Sequence, residues 1–180
     1  MTDQIIVTPY DPAWPARFRI ESQLIHIALA DLAPAIEHIG STAVPGLAAK
    51  PVIDIQVSVP DVEREEAFRA PIEAEGFGLR WIEPDHRYFR PPPPLPRLYQ
   101  VHVCTIGSDW ERRHLLFRDY LRTHPEVAAE YAQLKRAIAE RYNAALSEHS
   151  EINAGYTDYK TDFIEATKTK ARAEGSGAAG

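Results

Sequence analysis

The pattern of apolar and polar positions divides the chain into a strand-rich first part and a helical last part. Alternating apolar and polar residues predict strands over residues 5–10, 35–39, 52–59, 78–83, 86–90 and 98–106. Helical spacing predicts helices over 12–32 and 61–76, and Pro71 should kink or divide the second of them. Beyond residue 108 the spacing is helical to about residue 172. This order predicts an α+β fold with a mixed β-sheet, flanking helices and a helical C-terminal layer.

Several short motifs predict where the helices begin. Asp11 followed by Pro12 is typical of a helix start, and S-D-W-E at 108–111 and T-H-P-E at 123–126 have the form of capping boxes. The helix after the second box carries an apolar stripe made of Val127, Tyr131, Leu134, Ile138 and Tyr142. A last helix is predicted over about 154–172.

The strand VIDIQVSV at 52–59 has one apolar and one polar face. The apolar face carries Ile53, Ile55, Val57 and Val59, and the polar face carries Asp54, Gln56 and Ser58. A carboxylate in the middle of a strand is costly to bury without a partner. Asp54 is therefore the first candidate for a functional residue, and we expect it to face a cleft.

Composition excludes some classes of protein. At 180 residues and 44% hydrophobic content, the chain fits one domain over 1–172, with a disordered tail at 173–180. A net charge of −6 argues against a duplex nucleic-acid partner, whose phosphates require a basic face. The single cysteine cannot form an intrachain disulfide, and we find neither a secretory signal nor an apolar run of the roughly 20 residues that would cross a membrane. A cytoplasmic location is the expectation.

A glycine-hydroxyl turn precedes the strand of Asp54. Gly40, Ser41 and Thr42 can turn the backbone sharply and direct amides and hydroxyls at a phosphate, although the tripeptide alone is also typical of an ordinary turn. Lys50 follows just before the strand, where it is either a phosphate contact or a solvated loop lysine. The combination favours an anion site.

The stretch HIGSTAVPGLAAKPVIDIQVSV resembles the signature of the GrpB family, of the nucleotidyltransferase superfamily with the polymerase-β-like fold. The resemblance continues to about residue 166 through YDPAW at 10–14, HV at 102–103, FRDYLR at 117–122, YAQLK at 131–135 and YTDYK at 156–160. It implies a nucleotidyltransferase-like sheet. It also implies that Gly40 and Ser41 hold the β- and γ-phosphates of a nucleoside triphosphate, with Asp54 as a metal-binding carboxylate.

The metal site implied by this resemblance is incomplete. The superfamily places a second carboxylate two residues after the first, and Gln56 stands there instead. His102 lies where a third carboxylate is expected, and either Glu37 or His38 can point toward the pocket. A divalent site made of His38, Asp54 and His102 would suit Zn²⁺ or Mn²⁺ better than Mg²⁺. The alternative for each histidine is a structural hydrogen bond.

Basic residues later in the chain could balance the charge of a nucleotide. The candidates are Arg87, Arg118, Arg122, Lys135 and Lys160. Tyr156 and Lys160 would share a helix face, whereas Arg118 and Arg122 could equally form surface ion pairs. The segment RPPPPLPR at 90–97 has the spacing of an SH3 ligand, but a stiff loop between two strands is the favoured interpretation.

These observations lead to one expectation and one alternative. We expect binding of a small-molecule nucleotide, namely a nucleoside triphosphate, with a divalent metal (Mg, Mn or Zn). Transfer of a nucleotidyl group to a small acceptor would be the reaction, with Asp54 and His102 as its catalytic residues. The alternative is a non-catalytic nucleotide-binding or accessory module near coenzyme A metabolism, because some relatives are fused to dephospho-CoA kinase. Gln56 favours the module, since a carboxylate there would have favoured catalysis.

Overall fold

The computed structural model describes residues 4–147 and 158–177, which contain one five-stranded mixed sheet. Its strands are β1 (Ala35–Ile39), β2 (Ile53–Val59), β3 (Gly78–Glu83), β4 (His86–Arg90) and β5 (Tyr99–Thr105). The spatial order is β1-β2-β5-β4-β3, in which β2 and β5 are parallel and every other pair is antiparallel. The predicted mixed sheet is confirmed, and its central pair carries both Asp54 and His102.

Helices cover both faces of this sheet. They are α1 (Trp14–Ala28), α2 (Arg69–Ala74), α3 (Asp109–Thr123), α4 (Pro125–Ser147) and α5 (Thr161–Gly177). The first two pack on one face around the fully buried apolar side of β2 and β5. α3 lies over the opposite, polar face and packs against α4 and α5. No helix in the described part of the chain is long and apolar enough to cross a membrane.

The alternation in β2 has the predicted consequence. Ile53, Ile55 and Val57 are at most 2% exposed and belong to the core shared with α1 and α2. Asp54 projects from the other face. The apolar stripe of α4 is also confirmed, because Val127, Tyr131, Leu134, Ile138 and Tyr142 all take part in the two clusters that α4 forms with its neighbours.

The N-terminal predictions need correction. Residues 5–10 form no strand. Thr8 makes one isolated bridge with Ala49, and the backbone of Ile5 bonds to the side chain of Asn143 in α4 rather than to a neighbouring strand. α1 begins at Trp14, two residues later than predicted, since the Asp11 carboxylate accepts a hydrogen bond from the amide of Ala13 ahead of the helix. It also ends earlier than predicted, at Ala28, and a short 3₁₀ turn over 30–32 follows.

Two further helix boundaries differ from prediction. The segment 61–76 begins with a 3₁₀ turn, and α2 starts only at Arg69, so Pro71 lies in the first helical turn, where its missing amide hydrogen is not needed. The Ser108 hydroxyl caps α3 by accepting from the amide of Glu111, as predicted. Thr123 does not cap α4, because its hydroxyl donates back to the carbonyls of Asp119 and Tyr120 in α3.

The last helix also departs from its predicted limits. α5 begins at Thr161 after a 3₁₀ turn over 158–160 and continues to Gly177. Residues 173–177 are therefore helical, where the sequence predicted the start of a disordered tail. The predicted helix start at 154, the side chain of Tyr156 and residues 178–180 lie outside the described residues.

Candidate functional site

A cleft of about 1070 Å³ opens beside the N-terminal end of β2. Its walls come from the turn and loop over 41–52, the proline-rich segment 91–97, the N-terminal residues 4–6 and side chains of α4. Asp54 projects into it from the sheet and is the one carboxylate among the described lining residues. The volume is of the size that holds a nucleotide-sized ligand, since ligand pockets commonly measure about 300–1,000 Å³.

The glycine turn is built against Asp54. Gly40 has φ +70° and ψ −172°, a backbone region that is essentially restricted to glycine. A Cβ atom at this position would lie 2.3 Å from Oδ2 of Asp54. The Ser41 hydroxyl lines the cleft, and the described residues supply no hydrogen-bond partner for it. The turn therefore combines close backbone approach to a carboxylate with a hydroxyl directed at the cleft.

Thr42 also lines the cleft, but its hydroxyl is already engaged. It donates to the carbonyl of Val52 at 3.2 Å and pairs with Nε2 of His38 at 3.0 Å. These bonds hold the turn to the beginning of β2. Thr42 is thus placed where the sequence predicted, with a role in shaping the turn.

Asp54 and His102 approach each other as predicted. Nε2 of His102 lies 3.5 Å from Oδ1 of Asp54, and the two side chains are 16% and 26% exposed. Their strands are parallel neighbours, in which Gln56 is the direct partner of His102 and Gln100 the direct partner of Asp54. The pair is therefore diagonal, with Asp54 toward the cleft and His102 behind it.

The structure places His38 apart from this pair, on the opposite face of the sheet. In the antiparallel register of β1 and β2, His38 is opposite Ile55 and so shares the core face, whereas Glu37 is opposite Gln56 on the polar face. The ring stacks on Phe18 of α1 at 4.7 Å. Burial lowers the pKa of His38 to about 4.

The residues on the polar face do not fit a two-metal centre. Such a centre needs carboxylates that bridge two ions, and Glu37 is instead bound to Arg118 at 2.6 Å. The Gln56 amide nitrogen donates to Ser58 at 3.3 Å, and its Oε1 is buried without a partner. No group of three or more His, Cys, Asp or Glu side chains among the described residues could hold a metal ion.

The cleft is strongly cationic. Five of its described lining residues carry basic side chains: Lys50, Arg90, Arg97, Lys135 and Lys160. They come from four separate parts of the chain, which the fold brings together around the cleft that Asp54 enters. The Nε atom of Arg90 is buried and has no hydrogen-bond partner among the described residues. One carboxylate against five cations leaves a surplus of positive charge that an anionic ligand would offset.

Burial and mutual repulsion depress the pKa values of the three lysines. Burial lowers the pKa of Lys135 to about 7, with further contributions from Lys160 and Arg136. Burial and the neighbouring Lys50 lower the pKa of Lys160 to about 8, against the attraction of Asp54. The pKa of Lys50 is lowered by burial and by Arg97. Lysines with depressed pKa values in a cleft are typical of a functional site.

Lys135 is the most deeply placed of these cations. Its side chain is 2% exposed, and its Nζ donates to the carbonyl of Ala48 and lies 4.7 Å from the ring centre of Tyr131. The carbonyl and the ring fix the ammonium group in one position. It can therefore present its remaining N–H bonds to a ligand with little loss of side-chain entropy.

Three predicted basic residues lie elsewhere. Arg118 binds Glu37, Asp119 and the carbonyl of His38, and it ties α3 to β1. Arg122 donates to the carbonyl of Ala43. Arg87 binds Glu63 and Glu65 at 3.0 and 2.6 Å. None of the three is among the described lining residues, because each cation is held by partners of its own.

Sequence reasoning missed Arg90 and Arg97 as site residues. They flank the proline-rich segment, which was expected to be only a stiff loop. The segment turns along the cleft, and Arg97 also donates to the Tyr88 hydroxyl at 2.7 Å. Their position at the two ends of the loop between the adjacent strands β4 and β5 was the sequence feature that could have indicated this role.

Comparison with known proteins decides the family. The model described as "GrpB protein" matches residues 4–170. The chain belongs to the GrpB family. UPF0157 protein PA4798 of Pseudomonas aeruginosa is 44% identical over 78% of this chain, which spans 59% of that relative's length. UPF0157 protein SCO7215 of Streptomyces coelicolor is 40% identical over 94% of this chain and 86% of its own length.

Solved structures place this GrpB chain among nucleotidyltransferase-like folds. The crystal structure of the conserved protein GrpB from Enterococcus faecalis matches with a TM-score of 0.76 and 34% identity, over 94% of this chain and 98% of the other. The GLD-2/RNP-8 complex matches at a TM-score of 0.55 with 12% identity, covering 77% of this chain and 58% of that one. The Cid1 poly(U) polymerase with MgGTP bound matches at 0.52 with 15% identity, covering 75% and 45%. At these identities the last two show the fold alone.

One distant relative has a different description. A dephospho-CoA kinase of Mycolicibacterium paratuberculosis is 29% identical over 75% of this GrpB chain, which spans 40% of that protein. Much of that relative therefore has no counterpart in the chain.

Proposed function

We propose that the cleft beside Asp54 binds the phosphate groups of a nucleoside triphosphate. The observation that carries the proposal is the cluster of five basic side chains around one carboxylate and the Ser41 hydroxyl, for which the described part of the chain supplies no hydrogen-bond partner. Triphosphates carry several negative charges, and charge-assisted hydrogen bonds to Arg and Lys are the strongest that a site of this kind offers. The fold, which is that of nucleotidyltransferases, supports the same ligand class.

The proposed arrangement assigns each wall of the cleft a separate part of the ligand. Ser41 and the turn after Gly40 receive one phosphate, while Lys135 and Lys160 approach from the helical side and Arg90 and Arg97 from the proline-rich segment. The apolar side chains of Ile5 and Ile6 at the N-terminal wall offer a surface for the base or sugar.

We further propose that the bound nucleotide donates its nucleotidyl group to a small acceptor. The fold and the Asp54–His102 pair support this reaction. No step of it is assigned to a metal ion, because the donor groups on the polar face do not fit the two-metal centre. The competing proposal, a non-catalytic binding or accessory module, is favoured by Gln56, whose amide is bonded to Ser58 and adds no charge beside Asp54.

A thermal-shift screen of the intact chain tests the ligand class. The panel contains the nucleoside triphosphates, the diphosphates, coenzyme A and its precursors, each with and without Mg²⁺, Mn²⁺ or Zn²⁺. A ligand at 100 times its dissociation constant should raise the free energy of unfolding by about 2.7 kcal/mol. We expect a triphosphate to give the largest increase. Stabilisation by none of the nucleotides would contradict the proposal, and stabilisation by coenzyme A precursors alone would favour the accessory module.

A further inference from the structure

A chain of hydrogen-bonding side chains connects Asp54 to the surface. Oε2 of Glu83 lies 3.2 Å from Nδ1 of His86, and Nε2 of His86 lies 3.0 Å from Nδ1 of His102. Nε2 of His102 then faces Oδ1 of Asp54 at 3.5 Å. Both histidines use both ring nitrogens in this chain, which runs without a branch from the 53%-exposed Glu83 to the cleft.

The order of donors and acceptors fixes the tautomers. An ionised carboxylate only accepts, so His86 donates to Glu83 through Nδ1–H. Burial and the adjacent His102 lower the pKa of His86 to about 3, and the neutral ring therefore accepts at Nε2. His102 must then donate from Nδ1, and in the neutral form of its ring the lone pair of Nε2 lies opposite Asp54. The 3.5 Å separation agrees with this assignment, because it exceeds a normal N–H···O distance.

Aromatic side chains insulate the two histidines. Trp110 of α3 stacks on His86 and His102 with ring centres 4.5 and 5.5 Å away, and the ring centre of Tyr88 lies 5.2 Å from that of His102. His114, which stacks on Trp110, bonds through Nδ1 to the Trp110 carbonyl.

Arg87, the other charged neighbour of His86, is bound by Glu63 and Glu65. His86 itself is 5% exposed. Within the described surroundings, the hydrogen-bonded route for a proton therefore runs along the chain.

We propose that Glu83 and His86 are positioning residues that hold His102 as the proton acceptor for the hydroxyl of an acceptor substrate beside Asp54. This inference rests on the proposed nucleotidyl transfer. In that step the acceptor oxygen forms a bond to the α-phosphorus, the bond from the α-phosphorus to the pyrophosphate oxygen breaks, and pyrophosphate leaves with the electron pair. The hydroxyl proton moves to Nε2 of His102. The Nδ1 proton of His102 passes to His86, and the Nδ1 proton of His86 passes to Glu83 and solvent.

The tautomer of His102 can be measured without any substrate. Nitrogen-15 NMR of the full chain distinguishes protonated from unprotonated ring nitrogens, and the signals of the pair are assigned with His86→Gln and His102→Gln. At neutral pH we expect His102 to carry its proton on Nδ1. Glu83→Ala should move the proton to Nε2, which then donates to Asp54. Glu83→Gln should retain the original tautomer, because its amide oxygen still accepts from His86.

A matched control and a binding measurement separate this inference from the proposed function. Asp85→Asn changes a carboxylate in the same β3–β4 turn and should leave the tautomer unchanged. Nucleoside triphosphate affinity should stay within about twofold in Glu83→Ala, since Glu83 does not line the cleft. A His102 proton on Nε2 in the unaltered protein, or no change in Glu83→Ala, would overturn the relay. Absence of nucleotide binding with the expected tautomers would overturn only the proposed function.

Discussion

The backbone of Gly40 lies close to the side chain of Asp54 near the start of β2. Adding a single methyl group at Gly40 tests this close approach. In Gly40→Ala the new Cβ would meet Oδ2 of Asp54 at 2.3 Å, and the backbone would be held in a region that costs an L-residue about 1–3 kcal/mol. We expect lower stability in urea unfolding and a displaced Asp54. Gly46→Ala is the control, because Gly46 also has positive φ but has no atom within 4 Å of the added Cβ. An equal loss in both variants would show that the contact with Asp54 contributes nothing.

Lys135 gives stability a measurable pH dependence. Its folded pKa of about 7 lies below the ordinary unfolded value of about 10.4, so above pH 7 the unfolded chain binds more protons and the free energy of unfolding rises with pH. The useful window ends near pH 8.5, where the Cys104 thiol, whose pKa burial raises to about 11, acts in the opposite direction.

Urea unfolding between pH 7 and 8.5 measures this effect. The slope should be smaller in Lys135→Met than in the unaltered protein, and Lys170→Met, at an exposed position of α5, should retain it. A slope that is the same in all three proteins would contradict the depressed pKa.

At the same scale, sequence reasoning found some site residues and missed others for a definable reason. Alternation within one strand predicted Asp54 on a polar face, and alternation in the next predicted His102 beside it. The face of His38 depends on the register between two strands, which the sequence of one strand does not contain. Arg90 and Arg97 depend on the path of an irregular loop, for which no periodic pattern exists.

At the scale of elements, the start of α3 provides a direct test of helix capping. Ser108→Ala removes the hydroxyl that accepts from the Glu111 amide and should lower stability by about 1 kcal/mol. Thr123→Ala is the matched variant, since its hydroxyl bonds back into α3 and caps nothing. The urea midpoint of Ser108→Ala should therefore be lower than that of Thr123→Ala. A greater loss in Thr123→Ala would mean that the second capping box operates after all.

Arg118 joins α3 to β1 and should affect stability without affecting the ligand. Its guanidinium bonds to Glu37 and the carbonyl of His38, and hydrogen bonds to charged groups contribute about 1.5–3 kcal/mol. We expect Arg118→Met to lower the free energy of unfolding by about 2 kcal/mol, while nucleotide affinity of the folded protein stays unchanged. Urea unfolding measures the stability, and calorimetric titration of the folded protein measures the nucleotide affinity. A loss of nucleotide affinity without a loss of stability would show that Arg118 contacts the ligand.

Strands were easier to predict than helix ends. The bounds of the five observed strands agree with prediction within one residue, because alternation and flanking Gly and Pro mark them locally. Helix starts depend on which of several competing hydrogen bonds forms, as with Asp11 and Thr123. The predicted strand over 5–10 had suitable residues but found no partner strand beyond one bridge.

For the whole molecule, charge distribution matters more than net charge. The chain carries a net charge of −6, yet five basic side chains line one cleft. Asp54 is the one carboxylate among the described residues that line it. Acidic residues elsewhere hold the other arginines in ion pairs, as with Glu63 and Glu65 around Arg87. A small polyphosphate entering the cleft meets a local positive field, although the chain as a whole is acidic.

The measurement that tests the central claim most directly is calorimetric titration of nucleoside triphosphates into the unaltered protein, Lys135→Met and Lys170→Met. Losing one charge-assisted contact of about 1.5–3 kcal/mol should weaken binding by at least about tenfold in Lys135→Met. Lys170→Met, which replaces a lysine outside the cleft by the same residue, should bind as the unaltered protein does. No binding to the unaltered protein, or equal affinity in all three proteins, would contradict a phosphate site in this cleft.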